Sequence, residues 1–147
     1  MHIIKNNPFR ILGITTEVSE RIIQKQINII KRYSEIGKIK FFDYDFEFIG
    51  SIDRSIENIQ NAAGKIEQES SKLLHALFWF VRDNTIDEIA LNYLKNNNLQ
   101  KAIEIWEKTL KNNINERNYS SYQNYQLYTL LYLLMKIILL MIIYIKG

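Results

Sequence analysis

Apolar residues recur at helical spacing along most of this chain. The clearest stripe consists of five residues that share one helix face: Ile22, Ile23, Ile27, Ile30 and Tyr33. Ser19 precedes the stripe and predicts an N-cap. Gly37 follows it and predicts the end of the helix, because glycine readily adopts the left-handed conformation. Because the chain has one proline and five glycines to interrupt such patterns, it is predicted to be all-α.

Between residues 41 and 49 the helical spacing gives way to strict alternation. Four aromatic residues alternate with three acidic ones: Phe42, Tyr44, Phe46 and Phe48 against Asp43, Asp45 and Glu47. In an extended segment the two sets face opposite sides. We expect a loop that is pinned by its aromatic side chains and carries its three carboxylates on one side, because a lone strand has no partner here.

Two helices are predicted in the middle of the chain. One runs from about Asp53 and places Ile56, Ile59 and Ile66 on one face. The next runs from about Ser71 through Phe80, and it is so apolar that we expect it to be central.

A second pair of helices is predicted on either side of three asparagines at 96–98. The segment from Thr85 to Glu88 has the pattern of a capping box and predicts the start of the first helix. Small residues at Ala90 and Ala102 would let the two helices approach closely. This spacing resembles a tetratricopeptide repeat, whose helical pair must stack on neighbouring helices to bury its faces.

The run from Leu127 to Ile145 is almost entirely apolar and has two interpretations. As a helix it would be about 28 Å long, close to the hydrocarbon thickness of a bilayer. Tyrosines near both ends suit an aromatic belt, and the apolar residues can offset the cost of Lys136. The alternative is a buried helix of a soluble protein, or the first helix of a further repeat.

Charge and composition exclude several classes of function. The net charge is +3, but all 16 acidic residues and all but three basic residues lie within the first 116 positions, which are neutral overall. Nucleic-acid binding needs a concentrated basic face, so we expect none. The chain has no cysteine, which excludes disulfides and thiolate sites, and its N-terminus shows no cleavable signal. These features predict a cytoplasmic domain.

The sequence predicts neither an enzyme nor a metal or cofactor site. His2 and His75 are isolated, and no acid–base pair or phosphate-binding loop is visible. The loop carboxylates could hold a cation or meet a basic partner, and we favour a protein partner. The candidate partner-binding residues are Lys38, Lys40, Asp43, Asp45 and Glu47.

Three segments of the N-terminal half form one pattern: 7–14 (NPFRILGI), 18–20 (VSE) and 59–66 (IQNAAGKI). This pattern resembles a J domain, the helical module of co-chaperones. It implies supporting helices around a helical pair. The His-Pro-Asp signal of that family is absent, because residues 34–40 read SEIGKIK. The resemblance therefore implies a scaffold without the stimulating signal, whose unknown partner is related to chaperones.

We therefore predict an all-α protein with a J-like module at 1–82, a tetratricopeptide-like helical pair at 83–118 and an apolar C-terminal helix at 119–147. Its expected function is that of a non-enzymatic adaptor that binds a protein segment between helices. The alternative is a tail-anchored membrane protein whose helical domain faces the cytoplasm and recruits a partner.

Overall fold

The computed structural model describes residues 2–111 and 113–146, and within those ranges the regular structure is helical with no strand. The predicted all-α class is confirmed. The helices are α1 His2–Lys5, α2 Pro8–Ile11, α3 Glu20–Glu35, α4 Ile56–Glu67, α5 Glu69–Leu77, α6 Thr85–Lys95, α7 Leu99–Thr109 and α8 Tyr119–Lys146, with a 3₁₀ turn at Glu47–Ile49.

One cluster of buried side chains runs through the helices. α2, α3 and α5 pack on α4, while α6 packs on α7 and both contact α8. Aromatic rings join the two groups, because Phe80 contacts both Phe46 and Trp106. The largest fully buried side chains include Arg10 and the apolar residues Ile4, Phe9, Leu12, Ile23, Ile30, Ile49, Ile59, Trp79, Phe80, Leu94 and Trp106.

The boundaries of α3 agree with the local sequence signals. The helix begins directly after Ser19, although the Ser19 hydroxyl makes no capping hydrogen bond. It ends before Gly37, whose φ of 68° is the left-handed conformation that glycine adopts without a Cβ clash. Of the predicted stripe, Ile23, Ile27 and Ile30 are buried and the two outer members are exposed.

The predicted central position of α5 is wrong. No residue of α5 is fully buried, and Leu73, Leu74 and Leu77 are at least half exposed. The helix ends at Leu77, so the chain leaves the helical path before Trp79 and Phe80, which are fully buried. The apolar run therefore contributes to the core through the segment after the helix.

The helical pair α6 and α7 forms where the sequence predicts it. Ala90 and Ala102 are fully buried, as expected for a close approach. The predicted capping box is wrong by one residue, because the side chain of Asn84 accepts the hydrogen bond from the Asp87 amide at 3.1 Å. Glu88 instead pairs with Arg82.

The last helix, α8, starts at Tyr119 and has two parts with different surroundings. Its clamped part (residues 119–131) carries buried side chains, the last of which is Leu131. In its exposed end (residues 132–145) every residue except Leu134 is exposed. The buried-helix interpretation therefore describes only the clamped part.

Candidate functional site

The N-terminal motif joins distant parts of the fold through a fully buried asparagine. The side-chain oxygen Oδ1 of Asn7 accepts a hydrogen bond from the backbone N–H of Phe9 at the start of α2. The side-chain nitrogen Nδ2 donates to the backbone carbonyls of His75 and Phe78 at the end of α5. Asn7 thus satisfies free backbone groups at the ends of two helices.

Arg10 is buried in the same region, and its side chain binds backbone carbonyls of the acidic loop (residues 41–50). Its guanidinium donates to the carbonyls of Lys5, Asp45 and Gly50. Loss of hydration lowers the pKa of Arg10 to about 10, with Asp45 opposing and Arg54 adding to the change. Arg10 therefore has a structural role.

Asp45, a predicted partner-binding residue, lies against a second buried arginine. Both Asp45 carboxylate oxygens accept hydrogen bonds from Arg54, whose side chain also donates to the carbonyls of Ile11 and Lys40. Removing one member of a buried pair leaves an uncompensated charge and typically costs about 3–5 kcal/mol. A partner cannot recruit Asp45 without disturbing this core contact.

The three loop carboxylates do not lie on one side, contrary to the prediction. Asp43 points to α6, Asp45 points inward to Arg54, and Glu47 is exposed in the 3₁₀ turn. Phe46 has a φ of 43°, which breaks the extended path between Asp45 and Glu47. The aromatic pinning is confirmed, because Phe46 is buried and contacts the rings of Trp79 and Phe80.

The predicted lysines Lys38 and Lys40 lie between the end of α3 and the acidic residues of the loop. Lys38 is exposed. The Lys40 ammonium lies 5.4 Å from the centre of the Tyr33 ring and 5.9 Å from that of Phe42, which orients it by cation–π attraction. Neither lysine lines the groove beside Asp43.

A charged groove (Asp43, Tyr44, Arg82, Glu88, Asn92 and Lys95) separates the loop from α6 and encloses about 440 Å³. Lys95 pairs with Asp43 at 2.7 Å, and Arg82 pairs with Glu88 at 2.6 Å. All four side chains are exposed, so each pair contributes only about 0–1 kcal/mol. The groove can therefore exchange its own ion pairs for those of a partner.

The clamped part of α8 is fixed by buried polar contacts that the sequence reasoning missed. Asn124 accepts from the Val81 amide and donates to the Val81 carbonyl and the buried Asp87 carboxylate, all within 3.1 Å. Ser121 donates to the same carboxylate. Serine and asparagine at 121 and 124 share one helix face, and that spacing is the signal that could have revealed the contact.

The exposed end of α8 is apolar on all sides. Among the described residues, α8 is the one helix long and apolar enough to cross a membrane, and little of its apolar window is buried. Lys136 is the single charged residue of the exposed end, and its ammonium lies 4.8 Å from the centre of the Tyr132 ring. Such a helix has no polar face to present to water.

Within the described residues, no group of three or more His, Cys, Asp or Glu side chains is placed to hold a metal ion. Comparison of the chain with protein-family models, with curated proteins and with solved structures gave no match. The function must therefore be argued from the surfaces described above.

Proposed function

We propose that this protein is a non-enzymatic adaptor that the exposed end of α8 holds at a membrane, while the charged groove binds a protein partner. The proposal combines a helical recruitment domain with an apolar anchor. The N-terminal resemblance to J domains makes a chaperone-related protein the expected partner class. Because the His-Pro-Asp signal is missing, we expect binding without stimulation of a chaperone ATPase.

The exposed end of α8 is the main support for a membrane location. Its Leu, Ile and Met side chains lie in water on every side of the helix. Each such side chain forgoes roughly 1.5–3 kcal/mol relative to burial, so the protein needs an apolar environment for this segment. A bilayer supplies that environment on all sides, whereas a groove on another protein would cover one face.

Vesicle flotation followed by an alkaline wash tests the membrane location. We expect the full chain to remain with the vesicles and a version ending at Tyr132 to stay soluble and folded, because it retains every buried residue of α8. In the full chain, Leu139→Glu with Ile143→Glu should also release the protein, since both positions are exposed in the apolar end. Glutamates at the exposed domain positions Gln60 and Asn61 serve as the matched control.

The result that contradicts the membrane location is equally clear. Recovery of the full chain in the soluble fraction, with the same elution as the version ending at Tyr132, would show that the exposed end needs no bilayer. Retention of the double glutamate variant on washed vesicles would show that another surface holds the protein there.

The charged groove supports partner binding because its ion pairs are weak and accessible. Charge reversal by Asp43→Lys removes the pair with Lys95 at little cost to the fold. Glu67→Lys reverses an exposed charge at the end of α4, outside the groove, and is the matched control. Asp45 is unsuitable for this test, because its reversal would unpair the buried Arg54.

We expect proteins cross-linked to the wild type to be retained by the Glu67→Lys variant and lost by the Asp43→Lys variant. Circular dichroism should show the same helix content in all three proteins. The same set of cross-linked proteins from both variants would exclude the groove as the binding surface.

A further inference from the structure

The apolar end of α8 is shorter than the sequence alone suggests. Leu127, Tyr128 and Leu131 are buried in the domain, so they cannot enter a bilayer without opening the core. The remaining exposed end is roughly 20 Å long at about 1.5 Å per residue. A bilayer has about 30 Å of hydrocarbon, so the whole of this exposed end fits within it when the domain rests on the membrane surface.

The junction between the domain and the exposed end is also stiff. Residues 119–146 contain neither glycine nor proline, the usual causes of a kink, and α8 is continuous across Leu131 and Tyr132. The clamped part is fixed by Asn124 and by buried leucines. The orientation of α8 in the membrane therefore sets the orientation of the whole domain.

The exposed end must point into the bilayer instead of lying along its surface. A helix that lies in the interface has a charged face opposite its apolar face. Here apolar residues occur all round the helix, and Lys136 is the single charge. With the domain in direct contact with the bilayer, Tyr132 comes to the level of the lipid headgroups.

The side chain of Lys136 points back toward that level. Its ammonium lies 4.8 Å from the ring centre of Tyr132, one helical turn closer to the domain. Tyr132 in turn stacks on Tyr128, with ring centres 6.4 Å apart, and Tyr128 contacts Phe48. Tyrosine and lysine at this level match the belt of amphipathic side chains found at membrane interfaces.

We propose that Tyr132 and Lys136 form a binding point for anionic phospholipids, with the Lys136 ammonium contacting the lipid phosphate. The contact fixes the depth of α8 and holds the domain directly on the membrane. The ligand follows from charge complementarity, because Lys136 is the lone cation of the exposed end and a headgroup with net negative charge leaves its phosphate free to pair with it. This inference rests on the membrane location proposed above and adds the lipid class and the insertion depth.

Binding to two kinds of vesicle tests the lipid contact. The measured quantity is the ratio of the affinity for phosphatidylglycerol vesicles to that for phosphatidylcholine vesicles. We expect Lys136→Met to lower this ratio about fivefold, the effect of one basic residue near an anionic surface, and Lys136→Arg to preserve it. Arg117→Met removes the same charge just before α8 and should leave the ratio unchanged.

The possible results separate this inference from the proposed function. An unchanged ratio in the Lys136→Met variant would overturn the lipid contact while leaving the membrane location intact. Failure of the wild type to bind vesicles of either composition would overturn both. Because Lys136 is exposed, its replacement does not threaten the fold.

Spin-label depth measurements test the position of the helix independently. The natural chain has no cysteine, so single cysteines can be placed at Leu133, Ile138 and Ile142. We expect oxygen accessibility to rise from 133 to 142, because the bilayer centre lies about 15 Å, or about 10 residues, beyond Tyr132. A label at 133 as deep as the one at 138, or equally shallow labels at all three positions, would overturn the proposed depth.

Discussion

The two parts of α8 differ in composition and have opposite surroundings, because every Ser, Thr, Asn and Gln residue of the helix lies in the clamped part. In the clamped part, Leu127 and Leu131 fill the core and Asn124 bonds to the 81–87 segment. In the exposed end, the leucines Leu133, Leu139 and Leu140 are more than half exposed, and Tyr144 is 88% exposed. The difference lies in the few polar side chains on one face of the first three turns. Apolar content alone therefore does not determine which part of a helix joins a core.

The largest expected effect comes from cutting the chain on either side of the clamped part. A version ending at Asn118 loses Asn124, Leu127 and Leu131 together and should fail to fold, because the remaining core is open to water. A version ending at Tyr132 should keep a cooperative thermal transition. Equal stability of the two versions in urea would show that the clamped part is not needed for the core.

Replacement of single leucines by alanine compares the clamped part and the exposed end within one helix. Leu131→Ala should lower the free energy of unfolding by about 3 kcal/mol, since it leaves a cavity at a fully buried position. Leu139→Ala makes the same chemical change in the exposed end and should leave domain stability within about 0.5 kcal/mol. Urea denaturation of both variants measures the difference, and a similar loss in both would contradict the division.

The polar contact of Asn124 should have a smaller effect. Asn124→Ala leaves the Val81 amide and carbonyl without their partner and should cost about 2 kcal/mol. Gln126→Ala, on the exposed side of the same helical turn, is the control and should cost almost nothing. Hydrogen exchange at the Val81 amide should accelerate in the first variant alone. Unchanged protection there would mean that Asn124 does not hold the segment.

The smallest effect should be a pH dependence of the stability of the helical domain. Burial, and then the charge of Lys65, lower the pKa of His75 below 6.5. The unfolded chain therefore takes up a proton at a higher pH than the native protein, so stability falls as pH falls through this range. Thermal unfolding between about pH 7.5 and about pH 5.5 should show this loss in the wild type and less of it in His75→Gln. An unchanged slope in that variant would assign the pH dependence to other groups.

The sequence predicted those helices whose ends are marked by capping residues or by turn residues. Ser19 and Gly37 bracket α3, and the asparagines at 96–98 separate α6 from α7, because capping and left-handed turns depend on neighbouring residues alone. The resemblance to known helical families stays a prediction. So do the partner-binding roles of Lys38, Lys40, Asp43 and Glu47.

The remaining features depend on contacts between distant residues. Arg10 binds carbonyls 35 to 40 residues further along the chain, and Arg54 reaches back 43 residues to Ile11. Residue spacing does not encode such contacts, so two buried arginines could not be distinguished from surface ones. The same limit explains the acidic loop. Alternation predicted a common side for its carboxylates, whereas the buried Arg54 selects one of them.

The burial of Leu131 also determines when the protein can fold during its synthesis. The N-terminal residues are made first, yet the core they belong to closes only after the clamped part of α8 has been made. Contacts between ends so far apart in sequence slow folding and leave apolar surface open meanwhile. The exposed end follows immediately, so a nascent chain presents an unfinished core and an apolar helix at the same time. Its need for protection against aggregation is therefore greatest while α8 is being made.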